Sequence, residues 1–339
     1  MSQAYYLWLR LSRLLLVLVG LSVIIFVVAR LIPGDPARIA LGPLATPQQV
    51  AELQQKMGLD KSIAVQYFDY ISNVFDGDMG QSTITDQPVL SDITRALPAT
   101  LELVLVAVFF TAAIGMPLGI FAAYRPNGWF DQVSRVVSLV GVVTPSFLLA
   151  LILQLLASLG WLDLPVTERL SSSMNFSADF SGLLLLDSVL QGRFDVFLNA
   201  LQHILLPAIA LSAAGIGQVM RITRSSMIEF SHRDHVETLR ACGVSKPVVN
   251  FKYLLRLSAS APLTILGLEF ASLIGNAFVV EMVFSWPGVA SYGVRSILHK
   301  DFNAVIGVVL VSGVFFIAAN LLIDFIIGVV DPRVKHKGA

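Results

Sequence analysis

LVLVAVFFTAAIGMPLGIFAAY, residues Leu103–Tyr124, runs for 22 residues without a charged side chain. As a helix it extends about 33 Å, enough to cross the hydrocarbon of a bilayer, where only helices and closed barrels satisfy their own backbone donors. Four further uncharged runs, and a sixth interrupted only by Glu269, recur along the 339 residues. Bounded by their flanking charges, they predict six membrane helices at Leu14–Ala29, Leu103–Tyr124, Val136–Leu162, Val196–Met220, Leu257–Val280 and Phe302–Ile323. The expected fold is an all-α membrane protein with both termini on one side.

Composition agrees. Apolar residues make up 55% of the chain and charged residues 14%, against a charged fraction of about 25% in soluble domains; the mean hydropathy is +0.76. The formal charge is zero, so no overall field points to nucleic acid as a partner. Cys242 is the single cysteine, which rules out an internal disulfide and reads as inert filler. The apolar run after Arg13 is too long for a signal-peptide core and no small-residue cleavage site follows it, so it is expected to stay as the first span.

Basic residues near the membrane favour the cytoplasm. An inside N-terminus assigns Arg10, Arg13, Arg125, Arg135, the seven basic residues from Arg221 to Arg256, and Arg333, Lys335 and Lys337 to that side, 14 of the 23 Lys and Arg. The inner loop Arg221–Arg256 then carries a balance of +4, and the outer loop Asp163–Asp195 one of −3. Expected divisions are an N-terminal segment with the first span (1–31), an external insertion (32–96), a transmembrane domain (97–328) with its inner loop at about 221–256, and a basic cytoplasmic tail (329–339).

The insertion is too long for a plain connector. Thr46 and Pro47 form an N-cap and first-turn pair, and Gly58 falls where a helix closes. Ile63, Tyr67, Tyr70, Ile71 and Val74 recur at helical spacing, an amphipathic segment suited to the membrane face, to a partner, or simply to packing on the spans. Pro145, Pro207 and Pro262 fall within spans three to five and invite kinks that open a central path, although proline is also common in membrane helices.

No phosphate-cradling G-x-x-x-x-G-K-[ST] run occurs, nor H-E-x-x-H, C-x-x-C or G-x-S-x-G. Bound ATP and metalloprotease or serine-hydrolase chemistry therefore have no support in this chain. His203 could ligate a group or be hydrogen-bonded at a helix end. SHRDHVETLRACGVSKP, residues Ser231–Pro247, predicts a short amphipathic inner helix, with Asp234 as its cap, Val236, Leu239 and Ala241 as apolar contacts and Gly243 as its end. It suits docking into a partner's groove or lying on anionic lipid. Glu269 shares a helical face with Ser272 and Asn276, a stripe suited to a substrate path, or it bonds a neighbour such as Gln218.

Several stretches, in order, carry a resemblance: RLIPGDPA (Arg30–Ala37), GDMGQS (Gly77–Ser82), LPATLEL (Leu97–Leu103), HILLPAIAL (His203–Leu211), RITRSSM (Arg221–Met227), VFSWPG (Val283–Gly288) and DPRVKHK (Asp331–Lys337). Over essentially its full length the chain resembles the membrane-spanning permease subunits of bacterial ABC importers in the dipeptide, oligopeptide and nickel group. That resemblance implies a type I permease of six spans in the inner membrane, not an enzyme, with both termini cytoplasmic. Implied partners are a second homologous permease, two ATP-binding subunits that hold ATP and magnesium, and a periplasmic solute-binding protein.

It further implies that Asp234, Glu237, Thr238, Leu239, Arg240, Ala241, Cys242 and Gly243 form the helix that couples to the ATPase, with closure of the ATPase pair pulling on it. Glu269, Ser272, Asn276 and Gln218 are the candidate path residues. Cys242 stands where the family often has a lysine, and Glu269 where it often has glutamine. Short peptides are the expected cargo, with nickel chelates, glutathione or opines as alternatives. An ion-coupled transporter using Glu269 is the reading from another class, and it lacks an inverted repeat.

Overall fold

The computed structural model describes residues 3–31, 36–42, 44–56 and 58–330. The middle of RLIPGDPA and the basic tail from Asp331 lie outside them. In chain order the helices are α1 (Gln3–Leu31), α2 (Pro36–Leu41), α3 (Pro47–Lys56), α4 (Ile63–Phe75), α5 (Val89–Tyr124), α6 (Trp129–Val143), α7 (Ser146–Ser158), α8 (Leu184–Leu190), α9 (Phe194–Ser231), α10 (Asp234–Ala241), α11 (Ser260–Val283), α12 (Val289–Leu298) and α13 (Phe302–Val330). Short helical pieces between Lys246 and Ser258 join α10 to α11. Among the described residues no strand forms; Gln81 and Pro88 make one isolated bridge.

Among the described residues four helices are long and apolar enough to cross a bilayer: α5, α9, α11 and the Phe302–Ile323 part of α13. A fifth crossing results if α6 and α7 count as one bent span. The apolar part of α1, Leu14–Arg30, is shorter. Prolines act differently at each place. Pro145 ends α6, and the chain turns by 102° before α7, because the ring removes a donor and crowds the preceding turn. Pro207 is carried inside α9, which is continuous over 38 residues. Pro262 lies within the fifth expected span, in the first turn of α11, where a missing N–H costs nothing. Helix α5 stays unbroken by widening into a π turn at Thr111–Gly115, just before Pro117.

The described chain falls into two compact units. The first holds the residues up to Pro98 together with Pro287–Ile317. In it Phe26 and Ala29 of α1 are buried with Phe302, Ile306 and Leu310 of α13. Gly313 lets Leu21 approach so closely that an added Cβ would lie 2.8 Å from its Cδ2. Thr46 and Gln49 cap α3 reciprocally, with Gln49 N–H donating to Thr46 Oγ1 at 3.3 Å and Thr46 N–H to Gln49 Oε1 at 2.9 Å. Gly58, at φ +65°, follows its end as expected.

The GDMGQS stretch docks on the start of α13. Asp301 is fully buried; it takes hydrogen bonds from Ala304 N–H (3.1 Å), Ser82 Oγ (2.6 Å) and Thr83 N–H (2.7 Å). Gly80 has φ +83°, a left-handed backbone that favours glycine, and a Cβ there would stand 2.7 Å from Asn303 Nδ2, so that side chain would have to shift.

The second unit holds Ala99–Trp286 with the described residues from Ala318. Helix α9 runs through it, lined by close approaches. A Cβ on Gly119 of α5 would lie 2.6 Å from Met220 O, and one on Gly217 of α9 would lie 2.6 Å from Ser138 O of α6. Small residues bring backbones together where lipid supplies no hydrophobic drive.

Candidate functional site

Arg233, in extended conformation, is the N-cap of α10, so Asp234 occupies the first helical position and makes no side-chain cap, contrary to expectation. Its charge still serves the helix: Asp234 and Glu237 lie in the first turn and Arg240 in the last, the arrangement the helix dipole favours. Gly243, at φ +76°, ends it. Gly243 N–H donates to Arg240 O at 3.0 Å and Val244 N–H to Leu239 O at 3.1 Å, closing both orphan carbonyls.

The helix has an anchored underside. Val236 is fully buried against Ile120, Met227, Val249 and Leu254, with Leu239 and Val244 packed beside it. The helix thus buries one face against its own chain. Asp234, His235, Glu237, Thr238, Arg240, Ala241 and Cys242 are exposed. Ala241 makes no buried contact, and the Cys242 thiol, read as filler, faces outward.

Directly above, α9 continues as helix through Arg221 and Arg224 to Ser231. Arg224 clamps the fully buried Asp131 of α6 through Nε and, at 2.8 Å, through Nη2. Asn127 N–H adds a third donor at 2.8 Å. This pair fixes the α5–α6 turn to the helix that leads into α10. In the sequence Arg224 stands out only by its charge and its place in RITRSSM, and Asp131 by nothing.

Toward the other end of α9, residues of the LPATLEL and VFSWPG stretches meet. Trp286, buried, donates from Nε1 to Ala99 O at 2.9 Å. Thr100 Oγ1 donates to the buried Glu281 at 2.6 Å. Glu102 accepts from Arg169 Nη2 (2.5 Å) and Leu185 N–H (2.6 Å). His203 engages Thr167 O through Nδ1 at 2.9 Å and Ser171 Oγ through Nε2 at 3.2 Å, so its ring is held by hydrogen bonds on both sides.

Glu269 of α11 is half-buried. Its Oε2 lies 3.2 Å from where a Cβ on Gly215 of α9 would stand, beside Thr111 of the π turn. Ser272 and Asn276 are exposed on the same helix and joined by a 3.2 Å hydrogen bond. Gln218 is half-buried one turn beyond Gly215; among the described residues no hydrogen bond links it to Glu269.

Residues 115–336 match the family described as binding-protein-dependent transport system inner membrane component, and residues 4–104 match the N-terminal family of such membrane components. The chain belongs to this family. Binding-protein-dependent permeases are transport subunits, and this one is not an enzyme. The dipeptide transport system permease protein DppB of Alkalihalophilus pseudofirmus is 36% identical over 96% of this chain and 98% of its own. The probable D,D-dipeptide transport system permease protein DdpB of Escherichia coli is 38% identical, with 96% of each chain covered. The glutathione transport system permease protein GsiC of Salmonella choleraesuis is 32% identical over 97% of this chain and 98% of its own.

Proposed function

We propose that this permease forms one half of the translocation path of an ATP-driven importer of short peptides. In this reading α1 and the bent pair α6–α7 join α5, α9, α11 and α13 to make six spans. The termini and α10 lie in the cytoplasm, and residues 97–328 act as the transmembrane domain. A second, homologous permease completes the path. Two ATPase subunits carrying ATP and magnesium engage α10, and a binding protein delivers solute to the outer insertion at 32–96.

The observation that supports coupling is the construction of α10. One face is locked to its own chain through Val236, while the charged opposite face is free, as a helix lying in a partner's groove requires. Near-full-length similarity to dipeptide permeases favours peptides over the glutathione cargo named for the more distant relative. Glu269, Ser272, Asn276 and Gln218 line the path in this reading.

Uptake of a labelled dipeptide panel by a deletion strain, restored by this chain and its partners, is the direct test. ATPase subunits should co-purify. Uptake that persists when the ATPase subunits are deleted would overturn the proposal in favour of an ion-coupled carrier.

A further inference from the structure

Helix α4 is apolar around most of its circumference. Tyr67, Tyr70, Ile71 and Val74 form one arc and are half-buried; Tyr67 and Tyr70 pack on Phe26 of α1 at ring-centroid distances of 5.5 and 5.6 Å. Beside that arc lies a second one, Val65, Phe68 and Phe75 with the small Ser72 between them, that none of the described residues covers: Phe68 is 71% exposed and Phe75 86%. The remaining stripe is polar, with Gln66, Asn73 and Asp69, the last paired to Lys61 at 2.7 Å. A helix bathed in water on that free side would hold two phenylalanines there without compensation.

The level at which α4 touches α1 indicates what covers them. Tyr67 OH shares a 2.8 Å hydrogen bond with Ser22 Oγ, and Phe26 lies between Tyr67 and Tyr70. Ser22 is seven residues inside the end of the apolar run at Ala29, or about 10 Å of helix. So α4 accompanies the last turns of an apolar helix and does not stand beyond its end. On α1 itself Val23, Ile24 and Val28 are exposed over the same turns, as Phe68 and Phe75 are on α4.

We propose that α4 lies within the membrane–water boundary on the side where α1 ends, with Phe68 and Phe75 in lipid and the Asp69–Asn73 stripe toward water. Aromatic residues favour that depth, and an amphipathic helix with a wide apolar face lies in its plane. The inference rests on the reading of α1 as a membrane span. It gives the insertion a fixed height at the bilayer surface and leaves α2 and α3 as the part free to meet a soluble partner.

The test uses the assembled transporter in vesicles of phosphatidylethanolamine and phosphatidylglycerol, with Cys242→Ser removing the chain's own thiol and the partner subunits free of reactive cysteine. Spin labels are placed singly by Ile24→Cys, Phe68→Cys, Asn73→Cys and Phe75→Cys, and their collision rates with lipid-soluble oxygen and a water-soluble nickel chelate are compared. The oxygen-to-nickel ratio should be several-fold higher at positions 68 and 75 than at 73, and close to that at 24. Equal ratios at 68, 73 and 75 would place α4 in water and overturn the proposal. Shielding of 68 and 75 from both reagents would overturn it in favour of a protein partner. A nickel-accessible label at 24 would instead remove the span reading of α1, and the inference with it.

Discussion

Asp131 and Arg224 show how much of this protein's polar chemistry is settled by residues far apart in the chain. Removing one partner of a buried, bidentate pair leaves the other charge without compensation, at a cost of about 3–5 kcal/mol. Asp131→Ala should therefore lower the unfolding temperature of the detergent-solubilised permease sharply, whereas the double change Asp131→Leu with Arg224→Met should recover much of the loss. Equal destabilisation by both would contradict the pairing. Asp187 offers a pH test. Burial alone would raise its pKa, but the Ser181 hydroxyl and the N–H groups of Ser181, Phe180 and Gly182 outweigh that and hold it below the usual carboxylate value. As pH falls the unfolded chain takes up the proton first, so stabilisation present at neutral pH disappears below about 3.9, the ordinary aspartate value. Asp187→Asn should flatten the acid limb of a melting-temperature profile, and an unchanged slope would refute the assignment. Neither partner set could be found from sequence, because charge type says nothing about which of several arginines or turns a carboxylate will meet. Glu269 was conspicuous only because it interrupts an apolar run.

At the level of helices, glycines give the clearest predictions. A methyl group at Gly119 meets the backbone oxygen of Met220 and the Cβ of Thr223, both at 2.6 Å, so Gly119→Ala should destabilise by about 1–3 kcal/mol. Gly275 has nothing within 4 Å of its Cβ position; Gly275→Ala should be neutral or stabilising by up to about 1 kcal/mol. Thermal unfolding of the two variants in one detergent compares them directly. Gly243→Asp strains the left-handed turn that ends α10 and should release the ATPase subunits on purification while the melting temperature of the membrane part moves little. Most helices were legible: uncharged runs mark α5, α9, α11 and α13, and cap residues mark α3 and the end of α10. What composition could not convey is that Pro145 turns the chain by 102° while Pro207 leaves α9 continuous, since neighbours that supply or withhold room decide each case.

For the whole permease, the proposed function divides transport between the polar position on α11, for cargo, and the exposed face of α10, for drive. If Glu269 faces the path, Glu269→Gln should change uptake of cationic dipeptides more than that of neutral ones; equal effects on both would assign the carboxylate to helix packing. Family and the long apolar helices were readable from the chain because lipid imposes a length and a composition on anything that crosses it; of the six expected spans, four described helices are long and apolar enough, or five with the bent pair. One feature joins the two functions. Helix α9 is unbroken for 38 residues, about 57 Å, with Arg224 gripping Asp131 near one end and His203 hydrogen-bonded near the other. A rod of that length acts as a lever: a tilt of about five degrees, pivoted at one end, sweeps the opposite tip through roughly 5 Å. In the proposed importer, a modest tug beside the nucleotide engine would thereby reach the far mouth as a displacement on the scale of a side chain.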